Sequence, residues 1–178
     1  MIEQFLTPEF LKENFEPKLK DPFENTPFKG YYFLSPGTKG TIGEKLAVML
    51  FQLNGFESYR QQDIKTKQKK DPGWDILVND IKTEVKLSLS GSNRWTINHL
   101  SMQKSAERIF LLCVNPLTPS NSKYVWFTRS DMTTSMIDNQ EKIFSPQQGG
   151  KKQNNDDWMC NPTKLLKSSF VKDISEWQ

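Results

Sequence analysis

The clearest pattern along the chain lies between residues 74 and 87, where apolar and polar side chains alternate on both sides of Asn79-Asp80. Alternation at every second position predicts β-strands with one buried face. We therefore predict a hairpin whose two strands are joined by a two-residue turn at Asn79-Asp80. In that register Val78 faces Ile81.

Elsewhere the apolar spacing predicts an α/β domain built around a mixed central sheet. A helix is predicted from about Ile42 to Asn54, with Gly55 just past its end and Thr41 to Glu44 matching a capping box. Its predicted apolar stripe is Ile42, Leu46, Met49, Leu50 and Leu53. The other predicted elements are a strand around 56–64, a helix within 96–107, strands at 108–114 and 123–128, a short helix from Ser130 or Asp131 to about 137, and a helix at about 163–177.

The chain of 178 residues is long enough for one domain with a sizeable core, so we expect a single domain over 1–178 with its core at about 40–130. Residues 1–35 carry repeated prolines and predict an irregular lead-in, in which 28–33 forms an early strand or a packing arm. Residues 139–162 are polar, and a loop of that length is usually functional or disordered.

Composition narrows the possible classes of protein. Two cysteines and one histidine are too few for a disulfide framework or for most structural zinc sites. No apolar run is long enough to cross a membrane, and the first residues do not resemble a secretion signal, so we expect a cytoplasmic protein without a membrane partner. A glycine loop of the Walker type is absent from the sequence, which argues against a nucleotide cofactor. The net charge of +3 permits nucleic-acid binding without requiring it.

The predicted hairpin brings three charged residues to one face of the sheet. Counting back from the turn places Asp75 opposite Glu84, with Cβ atoms about 5 Å apart. Lys86, two positions beyond Glu84, points to the same face. Two carboxylates at that separation repel each other by about 3 kcal/mol at an effective dielectric constant of 20. A positive charge is therefore expected between them, and Mg²⁺ suits paired carboxylates together with substrate phosphate.

An acid, any residue and a lysine is by itself a common triplet. It also occurs at Glu16-Pro17-Lys18, Asp63-Ile64-Lys65 and Asp80-Ile81-Lys82, and such charges usually form a solvated surface. The first of these copies contains a proline that a central strand excludes, the second lacks an opposing acid upstream, and the third straddles the predicted turn. Glu84-Val85-Lys86 alone combines an alternating strand, an acid across the hairpin and a preceding helix that carries another acid.

With these residues the chain resembles the PD-(D/E)xK nucleases, through Asp75 followed by Glu84-Val85-Lys86. The resemblance covers about residues 40–90, together with a following helix and strand that fit the family's αβββαβ core. It departs from the family pattern at Trp74, which stands where the family often has proline. The family often adds an acid from its first core helix, and Glu44 is placed for that role; a capping-box role with Thr41 is the alternative.

The resemblance implies a Mg²⁺-dependent endodeoxyribonuclease, in which Mn²⁺ could substitute. Asp75, Glu84 and the carbonyl of Val85 would bind the metal, while Lys86 would orient or activate the attacking water and stabilise the developing charge. Glu44 would hold a metal-bound water or a second metal. His99, the single histidine, is expected in a helix as a packing or surface residue.

Basic and amide side chains near this motif are candidates for contacts with double-stranded DNA. They are Lys39, Lys69, Lys70, Ser90, Asn93, Arg94, Gln148, Lys151 and Lys152. The alternative for the two richest stretches, residues 65–73 and 147–155, is a solvated or disordered loop.

Among nucleases, a compact chain with amide-rich insertions favours a type II restriction endonuclease, and that class is often homodimeric because two-fold symmetry matches a palindromic site. A structure-selective nuclease, such as a Holliday-junction resolvase or a DNA repair nuclease, would share the same site. A DNA-binding domain without catalysis, or an interaction domain with a charged hairpin, are the alternatives from other classes.

Overall fold

The computed structural model describes residues 20–64, 73–138, 142–147 and 158–178. The chain divides into two compact units, and the boundary along the sequence lies between Leu34 and Ser35. In the first, the Asp21 carboxylate accepts hydrogen bonds from the N–H groups of Phe23, at 2.9 Å, and Gly30, at 2.6 Å. A 3₁₀ turn at Tyr31–Phe33 lies where an early strand was one of the two predictions.

The second unit contains the following helices and strands among its described residues. The helices are α1 (Pro36–Leu53), α2 (Arg129–Asp138) and α3 (Pro162–Leu165). The strands are β1 (Ser58–Arg60), β2 (Ile76–Val78), β3 (Ile81–Leu89), β4 (Ile97–Leu100), β5 (Arg108–Val114), β6 (Lys123–Thr128), β7 (Phe144–Pro146), β8 (Trp158–Cys160) and β9 (Lys172–Asp173). None of the helices in these ranges has the length and apolar character needed to cross a membrane.

The described strands form two sheets. The larger has the order β1-β2-β3-β5-β6-β9 and the smaller the order β4-β8-β7. In the larger sheet β3 and β5 run parallel, whereas the other neighbouring pairs are antiparallel. The predicted α/β class with a mixed sheet is thereby confirmed, and β5 and β6 match their predicted bounds.

The predicted hairpin is confirmed in its register. Val78 pairs with Ile81, and the ladder runs back to Ile76 opposite Thr83. Asn79 and Asp80 have φ of 45° and 65°, the left-handed values that a type I′ turn requires. The short turn leaves no freedom for a slip by one residue, which would turn the charged side chains of β3 to the other face.

Helix α1 begins earlier than predicted, because the Ser35 hydroxyl caps it by accepting from the Thr38 N–H at 3.2 Å. The predicted capping box at Thr41 is therefore wrong. The C-terminal end of α1 is as predicted. Gly55 has φ of 84°, and the Phe56 N–H donates to the Phe51 carbonyl at 3.0 Å, as in a Schellman motif.

The inner face of α1 differs from the predicted stripe. The buried residues are Gly43, Ala47 and Phe51, whereas Met49 and Leu53 are exposed. Gly43 sets this orientation, because a Cβ there would come within 3.0 Å of the Leu87 Cβ. The helix therefore lies close against β3, with its glycine toward the strand.

Two predicted helices are wrong. Within 96–107 the chain forms β4 and a series of bends, because the Trp95-Thr96-Ile97 stretch alternates as a strand and His99 leaves the helical region with φ of 57°. Within 163–177 the chain forms the short α3, then β9 and a 3₁₀ turn at Ile174–Glu176 that is closed by a capping box from Asp173. Inside the predicted polar loop at 139–162, the described residues include β7 and β8.

The two faces of the larger sheet carry different layers. The main apolar core lies between β5, β6, the smaller sheet and α2; its buried members include Ile97, Leu100, Ile109, Leu111, Phe127, Met132 and Phe144. On the opposite face, Phe51 of α1 packs at 4.6 Å between ring centroids against both Phe110 and Trp177. Strand β3 lies between these layers and has a side-chain face toward each.

Candidate functional site

Glu84 is the centre of the candidate site. Its side chain is fully buried, and three cationic groups from the described residues surround its carboxylate. Oε1 lies 2.9 Å from Lys86 Nζ and 2.6 Å from Lys104 Nζ, while Oε2 lies 2.8 Å from Arg129 Nη2. A buried carboxylate needs such partners, since an unpaired ion in the interior costs several kcal/mol.

The alternation of β3 explains why Glu84 and Lys86 share a face. In the parallel ladder Glu84 pairs with Ile109 and Lys86 with Leu111, and both partners belong to the core beside α2 and the smaller sheet. Val85 points the other way, toward Gly43 of α1. The predicted pairing of acid and lysine on one strand face is thus present, as a contact of 2.9 Å.

Asp75 lies where the two strands of the hairpin separate. The β2–β3 ladder ends at Ile76 opposite Thr83, and the Asp75 carboxylate continues it by accepting from the Val85 N–H at 2.8 Å. In a strand the N–H and C=O of one residue point toward the same neighbour. The Val85 carbonyl is therefore directed to the same edge as Asp75.

The two carboxyl groups have opposite pKa shifts. Burial raises the pKa of Asp75, the Val85 N–H bond opposes that rise, and the negative charge of Glu84 adds to it. Burial also acts to raise the pKa of Glu84, but the charges of Lys86 and Lys104, with hydrogen bonds from Lys104 and Arg129, outweigh it and lower that pKa. The interaction between the two acids indicates that they lie in one electrostatic environment.

Two of the three cations were missed from the sequence. Arg129, the first residue of α2, is nearly buried and donates through Nε to the Ala106 carbonyl at 2.7 Å, through Nη1 to the Ser101 carbonyl, and through Nη2 to Glu84. Lys104 comes from the bends between β4 and β5. For Arg129 the sequence offers one hint: the residue directly follows the apolar strand β6, so its charge lies next to the core.

His99 lies in β4 rather than in a helix. Its backbone carbonyl accepts from Lys86 Nζ at 2.8 Å, and its N–H donates to the Gln147 side chain at 3.0 Å. The imidazole is exposed, and its Nε2 lies 3.4 Å from Gln147 Nε2. The residue therefore positions Lys86 through its backbone, which its predicted surface role did not include.

Glu44 lies on α1, which packs on the face of the sheet opposite Glu84 and Lys86. Its negative charge acts on Arg60 of β1, whose pKa is raised mainly by the hydrogen bond to Asp63. The structure thus places Glu44 beside a different charged group, and its role toward a metal stays a prediction.

Of the candidates for DNA contact in the loop after β3, two make hydrogen bonds within the protein and one has an exposed side chain. Ser90 Oγ accepts from the N–H groups of Ser92, at 3.3 Å, and Arg94, at 2.9 Å. Asn93 Oδ1 accepts from the buried Asn115 amide at 2.7 Å. These bonds shape the loop after β3 and leave the Arg94 side chain exposed on it.

The remaining candidates are in other places. Lys39 lies in the first turns of α1, half-buried, on a different element from the Ser90 loop. Lys69, Lys70, Gln148, Lys151 and Lys152 lie outside the described residues. Their predicted contacts with DNA stay predictions.

The donor set suits a hard divalent cation in its chemistry. Asp75, Glu84 and the Val85 carbonyl all offer oxygen, and Mg²⁺ uses one or two carboxylates together with water and substrate phosphate. In the described part of the chain no cluster of three or more His, Cys, Asp and Glu side chains could hold a metal ion. A metal site here would therefore need water and substrate phosphate as further ligands. The positive charge that the paired acids require is present here as ammonium and guanidinium groups.

Replacing Asp75 by asparagine is expected to stabilise the fold at neutral pH, by about 1 kcal/mol, or roughly 2–4 °C in melting temperature. The folded pKa of Asp75 is raised, so the stability it contributes is present below its unfolded pKa and lost as pH rises through the folded one. Asparagine avoids that loss and still accepts from the Val85 N–H.

The measurement is a series of melting curves from pH 3.5 to 8 for wild type, Asp75→Asn and the control Asp80→Asn. Asp80 is exposed in the hairpin turn, at a backbone conformation that asparagine adopts readily. The gain for Asp75→Asn should grow with pH, whereas Asp80→Asn should stay near wild type throughout. A loss of stability in Asp75→Asn at pH 7 would contradict the pKa assignment.

In comparisons with known proteins, no family model, curated protein or solved structure matches the chain.

Proposed function

We propose that this chain is a divalent-metal-dependent endodeoxyribonuclease that hydrolyses phosphodiester bonds of duplex DNA. One observation carries the proposal: Glu84 and Lys86 meet at 2.9 Å on one strand face, and Asp75, directly before the adjacent strand β2, accepts a hydrogen bond from the N–H of the intervening Val85. This grouping supports the resemblance of Asp75 and Glu84-Val85-Lys86 to the PD-(D/E)xK pattern. The run α1-β1-β2-β3-β5 gives partial support, because β4 and bends lie where the resemblance implies a crossover helix.

Asp75, Glu84 and the Val85 carbonyl would hold the metal, which would supply Lewis-acid chemistry to the scissile phosphate and the attacking water. Lys86 orients the attacking water and stabilises the charge that develops on the phosphate. The His99 carbonyl keeps the Lys86 ammonium at the site. Water adds to phosphorus and loses a proton to solvent, the bond to one sugar oxygen breaks, and that oxygen takes a proton from solvent.

Type II restriction is the subclass proposed, with a homodimer on a palindromic site. The exposed Arg94 on the loop after β3 would contact the DNA backbone next to the scissile phosphate. Ser90 and Asn93 support that loop, because their side chains bind within it or to Asn115. Lys39, in the early turns of α1, is a second candidate for a phosphate contact.

Digestion of a long sequenced duplex with Mg²⁺, followed by mapping of the ends, tests this function. Ends that fall at one short repeated sequence support restriction. Cutting confined to branched DNA, with linear duplex intact, would replace restriction by junction or repair cleavage and keep the same site. Binding of DNA without any Mg²⁺-dependent cutting would contradict the proposal.

A further inference from the structure

The oxygen donors at the site suit a metal ion, but the three cations at Glu84 oppose its binding. Three cations face two carboxylates, and both oxygens of Glu84 already accept hydrogen bonds from them. A divalent cation that shares Glu84 would be repelled by the ammonium groups in contact with it, and that repulsion is strong in a partly buried site. Departure of one of the three cations from Glu84 would relieve that repulsion.

The three cations differ in how firmly they are held. Arg129 is held by carbonyls of two other residues as well as by Glu84, and its side chain is 10% exposed. Lys86 extends from the central strand β3 and is also bound to the His99 carbonyl. Lys104 comes from a bend between strands, and at 31% its side chain is the most exposed of the three.

We propose that Lys104 is the exchangeable counter-ion of Glu84, which gives up the carboxylate to the incoming metal and then contacts the scissile phosphate. The inference rests on the proposed function and adds a catalytic residue to it. Before binding, Lys104 shields the buried carboxylate; afterwards the same ammonium lies beside an oxygen ligand of the metal, where a substrate phosphate arrives. Lys104 therefore opposes metal binding and favours the reaction.

The test measures binding of Mn²⁺ alone, without DNA, by electron paramagnetic resonance on the full chain. Lys104→Met should bind Mn²⁺ about tenfold more tightly than wild type, because the competing ammonium is gone. Lys104→Arg keeps the competing charge and should stay near wild type. Lys123→Met, at an exposed lysine at the start of β6, should also leave the affinity unchanged.

The second readout is single-turnover cleavage at saturating Mg²⁺, where Lys104→Met should be about a hundredfold slower. Replacing a lysine with a purely structural role would not both tighten Mn²⁺ binding and slow cleavage. Unchanged or weaker Mn²⁺ binding by Lys104→Met, with cleavage still dependent on metal and on Asp75, would overturn the inference and leave the proposed function standing. Mn²⁺ binding that survives Asp75→Asn would overturn both.

Discussion

Replacing Glu84 by glutamine is expected to lower the free energy of unfolding by about 3 kcal/mol or more. The change leaves Lys86, Lys104 and Arg129 around a neutral amide, and Arg129 is nearly buried. Breaking a buried ion pair by removing one partner is costly because the other charge stays desolvated. For a chain of this size the melting temperature should fall by roughly 10 °C, and Mg²⁺-dependent cleavage should be lost.

The pH dependence of this loss has a definite sign. The folded pKa of Glu84 is lowered, so its contribution to stability is present above the unfolded pKa, about 4.3, and is lost as pH falls through the folded value. The difference between wild type and Glu84→Gln should therefore be largest near neutral pH and shrink in acid. Glu57→Gln, at an exposed glutamate directly before β1, should change stability by less than about 0.5 kcal/mol. Equal melting curves for Glu84→Gln and wild type at pH 7 would contradict the buried ion cluster.

Replacing Lys86 by methionine is expected to slow single-turnover cleavage by about a thousandfold. Methionine preserves the length of the apolar stem but removes the charge that the proposal places at the attacking water. The fold should change less than in Glu84→Gln, because Lys104 and Arg129 still neutralise the carboxylate. Rates at saturating Mg²⁺ and DNA, measured beside melting curves, separate catalysis from stability.

Two further variants make the Lys86 result specific. Lys123→Met removes an exposed lysine from β6 and should cut DNA at the wild-type rate. Lys86→Arg keeps a positive charge but has a larger, planar head group, so it should recover only part of the rate. Full activity in Lys86→Met would remove this residue from the proposed mechanism.

The parts of the fold that could be predicted from the sequence are those fixed by local rules. The hairpin register follows from strict alternation around a two-residue turn, and the bounds of β5 and β6 follow from apolar runs between polar breaks. Because side-chain direction in a strand depends only on parity, the shared face of Glu84 and Lys86 could also be predicted. Three of the groups at the site are thus readable from fourteen consecutive residues.

The remaining features depend on packing between distant segments. Lys104 and Arg129 reach Glu84 from 20 and 45 residues away, and no periodicity in the sequence indicates which loop covers which strand. The predicted buried face of α1 was wrong because the close approach of Gly43 to β3 outweighs the apolar stripe that includes Met49 and Leu53. The predicted helix at 96–107 was wrong because His99 adopts a left-handed φ that ends helical spacing.

Under the proposed function, Asp75 and Glu84 should respond differently to substitution. A structural ion cluster would be weakened by the loss of any member, whereas the raised pKa of Asp75 indicates a carboxylate that costs stability when ionised. Groups that reduce stability are concentrated at sites kept for function. The opposite expected effects of Asp75→Asn and Glu84→Gln on stability, with the same expected loss of cleavage, follow from that difference.

The most direct test of the account is cleavage of duplex DNA by wild type and Asp75→Asn, each with Mg²⁺ and with the metal chelated. The account predicts that wild type cuts only with Mg²⁺ and that Asp75→Asn, folded and at least as stable, does not cut. Cutting by Asp75→Asn at the wild-type rate, or cutting by wild type that persists without metal, would contradict the assignment of Asp75 and Glu84 to a metal-dependent nuclease site.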